Sequence, residues 1–306
     1  MKVGYAVLYN NEELVISQNH TILSKTIYKD YGEFDDTSVP WKNDSKRINK
    51  VKILDQVKSN CMEEWFYDCT NLTSLIDFKN LDVSDCEDFS WMFTSCTSLQ
   101  DISALESWNV SNGKYFSCMF YSCTSLQNIS SLESWDVSNG TDFSYMFYSC
   151  TSLQDISVLE SWNVSNGRNF LYMFSSCTSL QDINALENWD VSNGTGFSCM
   201  FENCNSLQDI SGLYNWNVSN GKDFSCMFEN CNSLQDINGL YNWNVSNGKF
   251  FAYIFKDCKL LHIISLPNTM EYLSNNMFKN CNPLLKIHWK NHIYTVEDLL
   301  AYEEIF

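Results

Sequence analysis

The stretch CTSLQDISALESWNVSNGKYFSCMFYS, residues 96–122, decides the fold of this chain. A looser copy of it begins at Cys69. Close copies begin at Cys123, Cys150, Cys177, Cys204 and Cys231. A fixed period of 27 residues is typical of a solenoid, in which one supersecondary unit stacks on the next. We therefore predict a repeat solenoid of mostly β character, with seven stacked units over residues 69–257.

Apolar residues recur at fixed places in each unit and predict its core. In the second unit they are Leu99, Ile102, Leu105, Trp108, Val110, Phe116, Met119, Phe120 and, opening the next unit, Cys123. We predict a short parallel strand at SLQDI, residues 98–102, and a second extended piece at residues 107–113. Asn112 and Gly113 favour a left-handed turn there, and residues 116–122 favour a short helical turn. One unit cannot bury these side chains alone, so neighbouring coils must supply the rest of the core.

The two ends of the chain depart from the repeat and are predicted to cap it. Residues 1–68 predict a β-hairpin, with strands at 5–9 and 13–17, a strand at 51–54 and a degenerate first coil at 42–68. Residues 258–306 predict one 23-residue repeat, then a strand and a closing helix. Thr295 is a good N-cap for that helix, and Val296, Leu299, Leu300 and Ile305 would form its apolar face.

Charge and hydropathy exclude several classes of protein. The formal net charge is −18, with 37 acidic and 19 basic residues, which disfavours a nucleic-acid or anionic-membrane partner. No apolar run reaches the roughly 18 residues that a membrane helix needs, and no secretory signal or anchor is visible. We expect a soluble protein that works as a monomer.

The units resemble the BspA-like leucine-rich-repeat family, in the variant described in Mycoplasma surface lipoproteins. The residues that carry the resemblance are 135–139 (WDVSN), 143–147 (FSYMF), and Cys150 with residues 152–153 (SL). The 23-residue unit resembles the shorter form of that repeat, through residues 266–268 (LPN), 277–278 (MF) and Cys281. The resemblance implies a right-handed leucine-rich-repeat coil with a binding or adhesion role, typically at a bacterial surface.

An acidic column is one candidate binding surface. It consists of Asp101, Asn128, Asp155, Asp182, Asp209 and Asp236. Stacked like charges destabilise a ladder unless they are solvated or bridged by a cation. A calcium stripe is one interpretation, a solvated face is a simpler one, and a recognition surface for a protein partner is a third.

Tyrosines in two other columns are the second candidate. Tyr214 and Tyr241 replace the glutamates at 106, 133, 160 and 187. Tyr121 and Tyr148 give way to Ser175, Glu202 and Glu229. Exposed tyrosine is favoured at interfaces because it offers contact area at low entropic cost, although drift after duplication explains the same pattern. The candidate partner-binding residues are Asp101, Asp155, Asp182, Asp209, Asp236, Tyr121, Tyr148, Tyr214 and Tyr241.

Cysteine forms two different columns. One runs from Cys69 through Cys258 at the 27-residue period and continues at Cys281; we interpret it as a buried ladder of reduced thiols. The other holds Cys118, Cys199 and Cys226 among Trp91 and tyrosines, and its last two members could pair on oxidation. The spacing lacks the CxxC pairs of zinc sites, so no metal or other cofactor is expected.

The sequence contains no candidate catalytic residues. The four histidines, His20, His262, His288 and His292, all lie outside the 27-residue units, and no phosphate loop or nucleophile motif appears. We therefore predict a non-catalytic, protein-binding solenoid that mediates cell-surface or host interaction. An intracellular scaffold or effector is the alternative, and it agrees with reduced thiols and with the lack of a visible signal.

Overall fold

The computed structural model describes residues 2–235, 237–300 and 304–305. The chain begins with a hairpin of strands β1 (Lys2–Tyr9) and β2 (Glu13–Ser17), followed by strand β3 (Ile27–Asp35), which pairs antiparallel with β1. The hairpin expected from the sequence is therefore present, with a longer first strand. After a 3-10 helix at Lys42–Arg47, the chain enters the stacked coils.

The stack begins at the second strand of the hairpin, because the first coil pairs with it. Strand β4 (Lys50–Ile53) lies parallel to β2 and pairs Val51 with Leu14. A short strand β5 (Val57–Lys58) follows, and strand β6 (Ser74–Ile76) then pairs parallel with β4. Strand β7 (Leu81–Asp82) lies parallel to β5. The five-stranded sheet, in the order β3-β1-β2-β4-β6, thus changes from antiparallel to parallel at the first coil.

Each later coil carries one short 3-10 helix in place of a strand. These helices, including the one in the looser first unit, are Phe78–Asn80, Ser103–Leu105, Ser130–Ser134, Ser157–Ser161, Asn184–Leu186, Ser211–Leu213 and Asn238–Leu240. Successive helices lie against each other along the stack. Each coil therefore contains little regular secondary structure, but successive coils stack in the same way along the chain.

The strand predicted at SLQDI is wrong for most of the repeats. Within the described residues 96–235, that segment forms isolated backbone bridges, at Asp101 with Asn128 and at Asp209, and no continuous strand. Ile102 has ψ of 18°, which is outside the β region, and the Asp101 carboxylate accepts a hydrogen bond from the Ser103 N–H at 2.8 Å. This local turn ends the extended conformation before a strand can form. Only β6 and strand β8 (Ile263–Ser265), at the two ends of the stack, keep the predicted strand.

The hydrogen bonds that join the coils lie instead in the FSCMFYS segment. Its alternate N–H groups donate to the next coil at N···O distances of 2.7 to 2.9 Å: Phe116 to Asp142, Cys118 to Ser144, Phe120 to Met146 and Ser122 to Tyr148. The intervening N–H groups of Met119 and Tyr121 donate within the coil to the carbonyl three residues earlier. The predicted helical turn is wrong, because Cys118 and Ser122 both have φ of 56°. We call this hydrogen-bonded segment the turn ladder.

The interior is one continuous hydrophobic cluster that runs the length of the stack. Like side chains stack on like, as the sequence predicts: the rings of Phe116 and Phe143 are 5.6 Å apart, and those of Trp108 and Trp135 are 6.3 Å apart. Each indole N–H of this tryptophan column also donates to a carbonyl of the preceding coil, for example from Trp162 to Leu132 at 2.8 Å. Register between coils is thus fixed by polar as well as apolar contacts.

The last part of the chain forms two small sheets. Strand β9 (Leu273–Ser274) precedes a 3-10 helix at Asn275–Phe278. Strand β10 (Lys286–Trp289) then pairs parallel with β8 and antiparallel with strand β11 (His292–Tyr294).

The closing helix is shorter than the sequence predicted. It is α1 (Val296–Leu300), and Thr295 caps it by accepting the Asp298 N–H at 3.1 Å. Ile305 does not belong to its apolar face. Ile305 lies in strand β12 (Glu304–Ile305), which pairs antiparallel with β9.

The glycines of one column, from Gly113 to Gly248, leave space for a neighbouring ring and do not serve a left-handed backbone, and Cys86 occupies the same column in the first unit. Gly113 and its equivalents do not have positive φ, so the predicted left-handed turn is wrong. A Cβ at Gly194 would lie 2.4 Å from Cζ of Phe197 and 2.9 Å from the Val191 carbonyl oxygen. A Cβ at Gly196, two residues on, would meet only Oδ1 of Asn169 at 3.3 Å.

This contrast gives a paired test of the packing. We expect Gly194→Ala to destabilise the protein by about 1–3 kcal/mol, because the phenylalanine stack must shift. Gly196→Ala should change stability by less than about 1 kcal/mol, in either direction. Thermal unfolding followed by circular dichroism measures both variants. Equal midpoints for the two would show that the phenylalanine column does not fill this space.

Candidate functional site

A row of aromatic side chains runs along the outside of the turn ladder. It consists of Tyr67, Trp91, Tyr121, Tyr145, Tyr148 and Tyr172, and we call it the aromatic strip. Two columns of the repeat contribute to it. Trp91, Tyr145 and Tyr172 share the column of Cys118, whereas Tyr67, Tyr121 and Tyr148 lie three residues further along each coil.

Contacts between the rings make the strip continuous over five coils. Tyr121 and Tyr148 stack with ring centroids 4.6 Å apart, and Tyr145 and Tyr172 stack at 4.7 Å. Tilted contacts link the two columns, with Tyr145 and Tyr148 at 5.8 Å. Trp91 is exposed and the tyrosines are half-buried, so each ring both packs on its neighbour and faces solvent. Such rings present a rigid surface with little rotamer entropy left to lose.

The backbone under the strip is held in an unusual conformation. Trp91, Tyr145 and Tyr172 have φ of 61°, 56° and 55°. A left-handed conformation costs a residue with a side chain roughly 1–2 kcal/mol. The turn ladder offsets that cost, because the N–H of each of these residues donates to the next coil, as from Tyr145 to Leu171 at 2.8 Å. The rings are thereby fixed on one side of the coil.

Lysines of the chain itself lie over an aromatic ring at the first end of the aromatic strip and over another beyond its last member. Nζ of Lys42 lies 5.5 Å from the centroid of the Tyr67 ring, and Nζ of Lys256 lies 5.5 Å from that of Tyr253, in the column of Tyr172. Within the described part of the chain, no Lys or Arg lies over the rings of Trp91, Tyr121 or Tyr145. Stacking covers one face of each of the four central tyrosines, so another cation can approach their remaining faces and edges.

The predicted acidic column lies on a separate surface. Asp101, Asp155, Asp182 and Asp209 are exposed, and each accepts a backbone N–H from the residue two positions on, at 2.6 to 2.8 Å. These local turns give the column a structural role. Asp155 and Asp182, with Glu160 and Glu187, line a groove of about 610 Å³ between two coils. Asp236, the fifth predicted aspartate, lies outside the described residues.

The predicted tyrosines divide between the two surfaces. Tyr214 and Tyr241, 48 % and 52 % exposed, occupy the column of Glu160 and Glu187 and so continue the acidic face. Tyr121 and Tyr148 belong to the aromatic strip instead. Tyr67, Trp91, Tyr145 and Tyr172 were missed as binding candidates. The column of Trp91, Tyr145 and Tyr172, a mixture of cysteine and aromatic residues, was the available signal, but its left-handed backbone cannot be read from residue types.

The long cysteine column is buried and its thiols are reduced. Each thiol from Cys96 to Cys281 donates to a carbonyl of the preceding coil, for example from Cys123 to Phe93 at 3.1 Å. Burial raises the pKa of Cys123 and of Cys177 to about 12. The predicted buried thiol ladder is therefore present, and its sulfurs act as hydrogen-bond donors to the backbone.

The asparagine column also has a structural role. The amide of Asn139 donates to the Ser111 carbonyl of the preceding coil at 2.8 Å, and its equivalents repeat this contact. Among the described residues there is no cluster of three His, Cys, Asp or Glu side chains arranged to hold a metal ion. In the same residues, no helix has the length and apolarity to cross a membrane.

A family model and several solved structures resemble the chain. The model described as "Mycoplasma protein of unknown function, DUF285" matches residues 38–157, 124–235 and 183–289. A leucine rich cell surface protein from Faecalibacterium prausnitzii aligns with 95 % of each chain, at 15 % identity and a TM-score of 0.37. A leucine-rich repeat protein from Bacteroides ovatus aligns with 94 % of this chain and 87 % of its own, at 15 % identity and a TM-score of 0.32.

A third solved structure has similar values. The leucine-rich repeat protein of T. pallidum aligns over 85 % of this chain and 87 % of its own, at 16 % identity and a TM-score of 0.33. None of the curated proteins matches the chain. The family model, which spans most of the chain, agrees with the resemblance drawn from the repeat.

Thiol labelling tests the two cysteine environments. We expect a maleimide at pH 8 to modify Cys61 and the Cys199–Cys226 pair faster than the long column, whose thiols are completely buried from Cys96 to Cys258. Labelling of those column thiols should require denaturant. Peptide mass spectrometry after timed labelling gives the rate at each site. Modification of Cys123 or Cys150 in the folded protein at the rate of Cys226 would contradict the buried ladder.

Proposed function

We propose that this chain, which belongs to the family described as "Mycoplasma protein of unknown function, DUF285", is a non-catalytic repeat scaffold that binds a basic protein surface through the aromatic strip. The observation that carries this proposal is the run of ring contacts from Tyr67 to Tyr172 on the outside of the coils. A surface of stacked, half-exposed aromatic rings is the composition that protein interfaces favour.

Charge determines the kind of partner that we propose. The chain carries a net charge of −18, so a partner rich in Lys and Arg is attracted at long range. At short range its cations can lie over the open ring faces, as Lys42 lies over Tyr67. A cation over an aromatic ring contributes about 0.5–1 kcal/mol where it is exposed and about 2 kcal/mol where it is desolvated.

The acidic face is a separate proposed surface, distinct from the aromatic strip. Asp155, Asp182 and the nearby Tyr214 and Tyr241 would contact a second protein partner there. We further propose a right-handed coil, with residues 1–68 and 258–306 as its caps. Cell-surface adhesion to a host or neighbouring cell is the biological role suggested by the repeat, and an intracellular scaffold is the alternative. Fractionation of cells that express the protein distinguishes these two roles.

A binding experiment tests the aromatic strip directly. The probe is a short arginine-rich peptide, titrated into the full chain and followed by calorimetry. Replacing Tyr121 and Tyr148 by Ser should raise the Kd about tenfold, because two ring faces are lost. Serine already occupies this column at Ser175, so the variant is expected to fold.

The matched control is the double variant Tyr214→Ser and Tyr241→Ser, which removes the same two side chains from the acidic face. Its Kd should stay within about twofold of the parent value if the strip carries the binding. An equal loss in both variants, or no loss in the first, would show that peptide binding depends on net charge alone. A glutamine-substituted peptide should not bind in either case.

A further inference from the structure

Beyond Tyr172, cysteines take over the inner column of the aromatic strip. Cys199 and Cys226 occupy two successive coils, at positions equivalent to Tyr145 and Tyr172. Their φ values, 55° and 56°, match those of the tyrosines. The Cys199 N–H donates to the Ser225 carbonyl at 2.8 Å, so the two cysteines lie on adjacent rungs of the turn ladder.

The spacing of these rungs suits a disulfide bond. One coil earlier in the same column, the rings of Tyr145 and Tyr172 stack 4.7 Å apart. Disulfide-bonded cysteines have Cα atoms 4.4–6.8 Å apart in general. The two side chains are also close enough for each to shift the pKa of the other.

The polar groups around the pair differ at its two ends. The Cys199 sulfur lies 3.6 Å from Oγ of Ser198 and is also hydrogen-bonded to the Tyr172 hydroxyl. Cys226 instead contacts the carboxylate of Glu229, which is 8 % exposed and forms an ion pair with Lys256. A tyrosine hydroxyl at one sulfur and a carboxylate at the other make the two thiols chemically unequal, whereas the Ser198 hydroxyl donates to the Ser225 carbonyl at 3.0 Å.

This asymmetry selects the sulfur that ionises. The hydrogen bond from Cys226, followed by that from Tyr172, holds the pKa of Cys199 below its ordinary value, although burial acts against it. Donation to Cys199, burial and the Glu229 carboxylate all raise the pKa of Cys226. The thiolate therefore forms at Cys199, with the neighbouring thiol on the adjacent coil.

We propose that Cys199 and Cys226 form a peroxide-sensitive dithiol site that closes to a disulfide bond between two adjacent coils. The Cys199 thiolate attacks one oxygen of the peroxide, the O–O bond breaks, and Cys199 becomes a sulfenic acid as water leaves. The Cys226 sulfur then attacks the sulfur of Cys199. Its proton leaves with the hydroxyl group as a second water, so two thiols and one peroxide give one disulfide and two waters.

The other thiols of the chain lack this arrangement. From Cys96 to Cys258, those of the long column each donate to a backbone carbonyl and are completely buried. Cys118 shares the column, the left-handed backbone and the 4 % exposure of Cys199, but its neighbours in the adjacent coils are Trp91 and Tyr145. It is a matched internal control, because it differs from Cys199 chiefly in having no cysteine on an adjacent rung.

The test uses the reduced full-length protein and hydrogen peroxide in modest excess. After the remaining thiols are blocked, digestion without reductant and mass spectrometry should reveal a Cys199–Cys226 cross-linked peptide, lighter than its parts by two hydrogen masses. Cys118 should remain a blocked thiol. The oxidised protein should unfold about 5–10 °C higher, since the bond closes a 27-residue loop.

Two variants test the assignment of the thiolate. Tyr172→Phe removes a donor to Cys199 and should slow cross-linking at pH 7 severalfold, with a smaller effect at pH 9, where ionisation needs no assistance. Cys226→Ser should leave Cys199 as a sulfenic acid that dimedone traps. A wild-type digest in which Cys199 and Cys226 remain thiols, or in which they oxidise no faster than Cys118, would overturn the proposal. That outcome is independent of peptide binding by the aromatic strip.

Discussion

The alternating backbone hydrogen bonds of the turn ladder are the interaction on which the rest of this structure depends. Every second N–H from Phe116 to Ser122 leaves its own coil and donates to the next one, and the same pattern repeats along the stack. Residues such as Cys118 can adopt positive φ only because these bonds offset the steric cost. The ladder therefore determines the coil spacing, the register of the core and the direction of the outer side chains.

The core and the outer surface follow from that register in different ways. Inside, equal spacing places phenylalanine on phenylalanine and tryptophan on tryptophan, and each indole N–H also reaches a carbonyl of the coil before it. On the outside, the same spacing places equivalent residues of successive coils over one another, whatever their type. Aromatic residues produce the strip from Tyr67 to Tyr172, and cysteines further along produce a pair of thiols on adjacent coils. Substitutions on the outside thus change the chemistry without disturbing the stack.

The two outer surfaces suit different kinds of contact. The acidic face is charged and locally hydrogen-bonded, since each aspartate is engaged by the N–H two residues on. Exposed charges of this kind contribute mainly to long-range attraction and to solubility. The strip offers rigid aromatic area, which contributes more to short-range affinity. A basic partner can use both, being attracted by net charge and then positioned by the rings.

The sequence by itself determined the period, the seven units, the stacking of like residues and the buried thiol column, because a strict repeat of apolar positions permits few other arrangements. It also placed Tyr121 and Tyr148 among the candidates. Only the tertiary structure decided that SLQDI is not a strand in most units, that Gly113 makes room for a ring, and that Tyr145 joins the strip. The physical reason is that a left-handed residue gains its stabilisation from a carbonyl 26 residues away, and no local pattern of residue types records that contact.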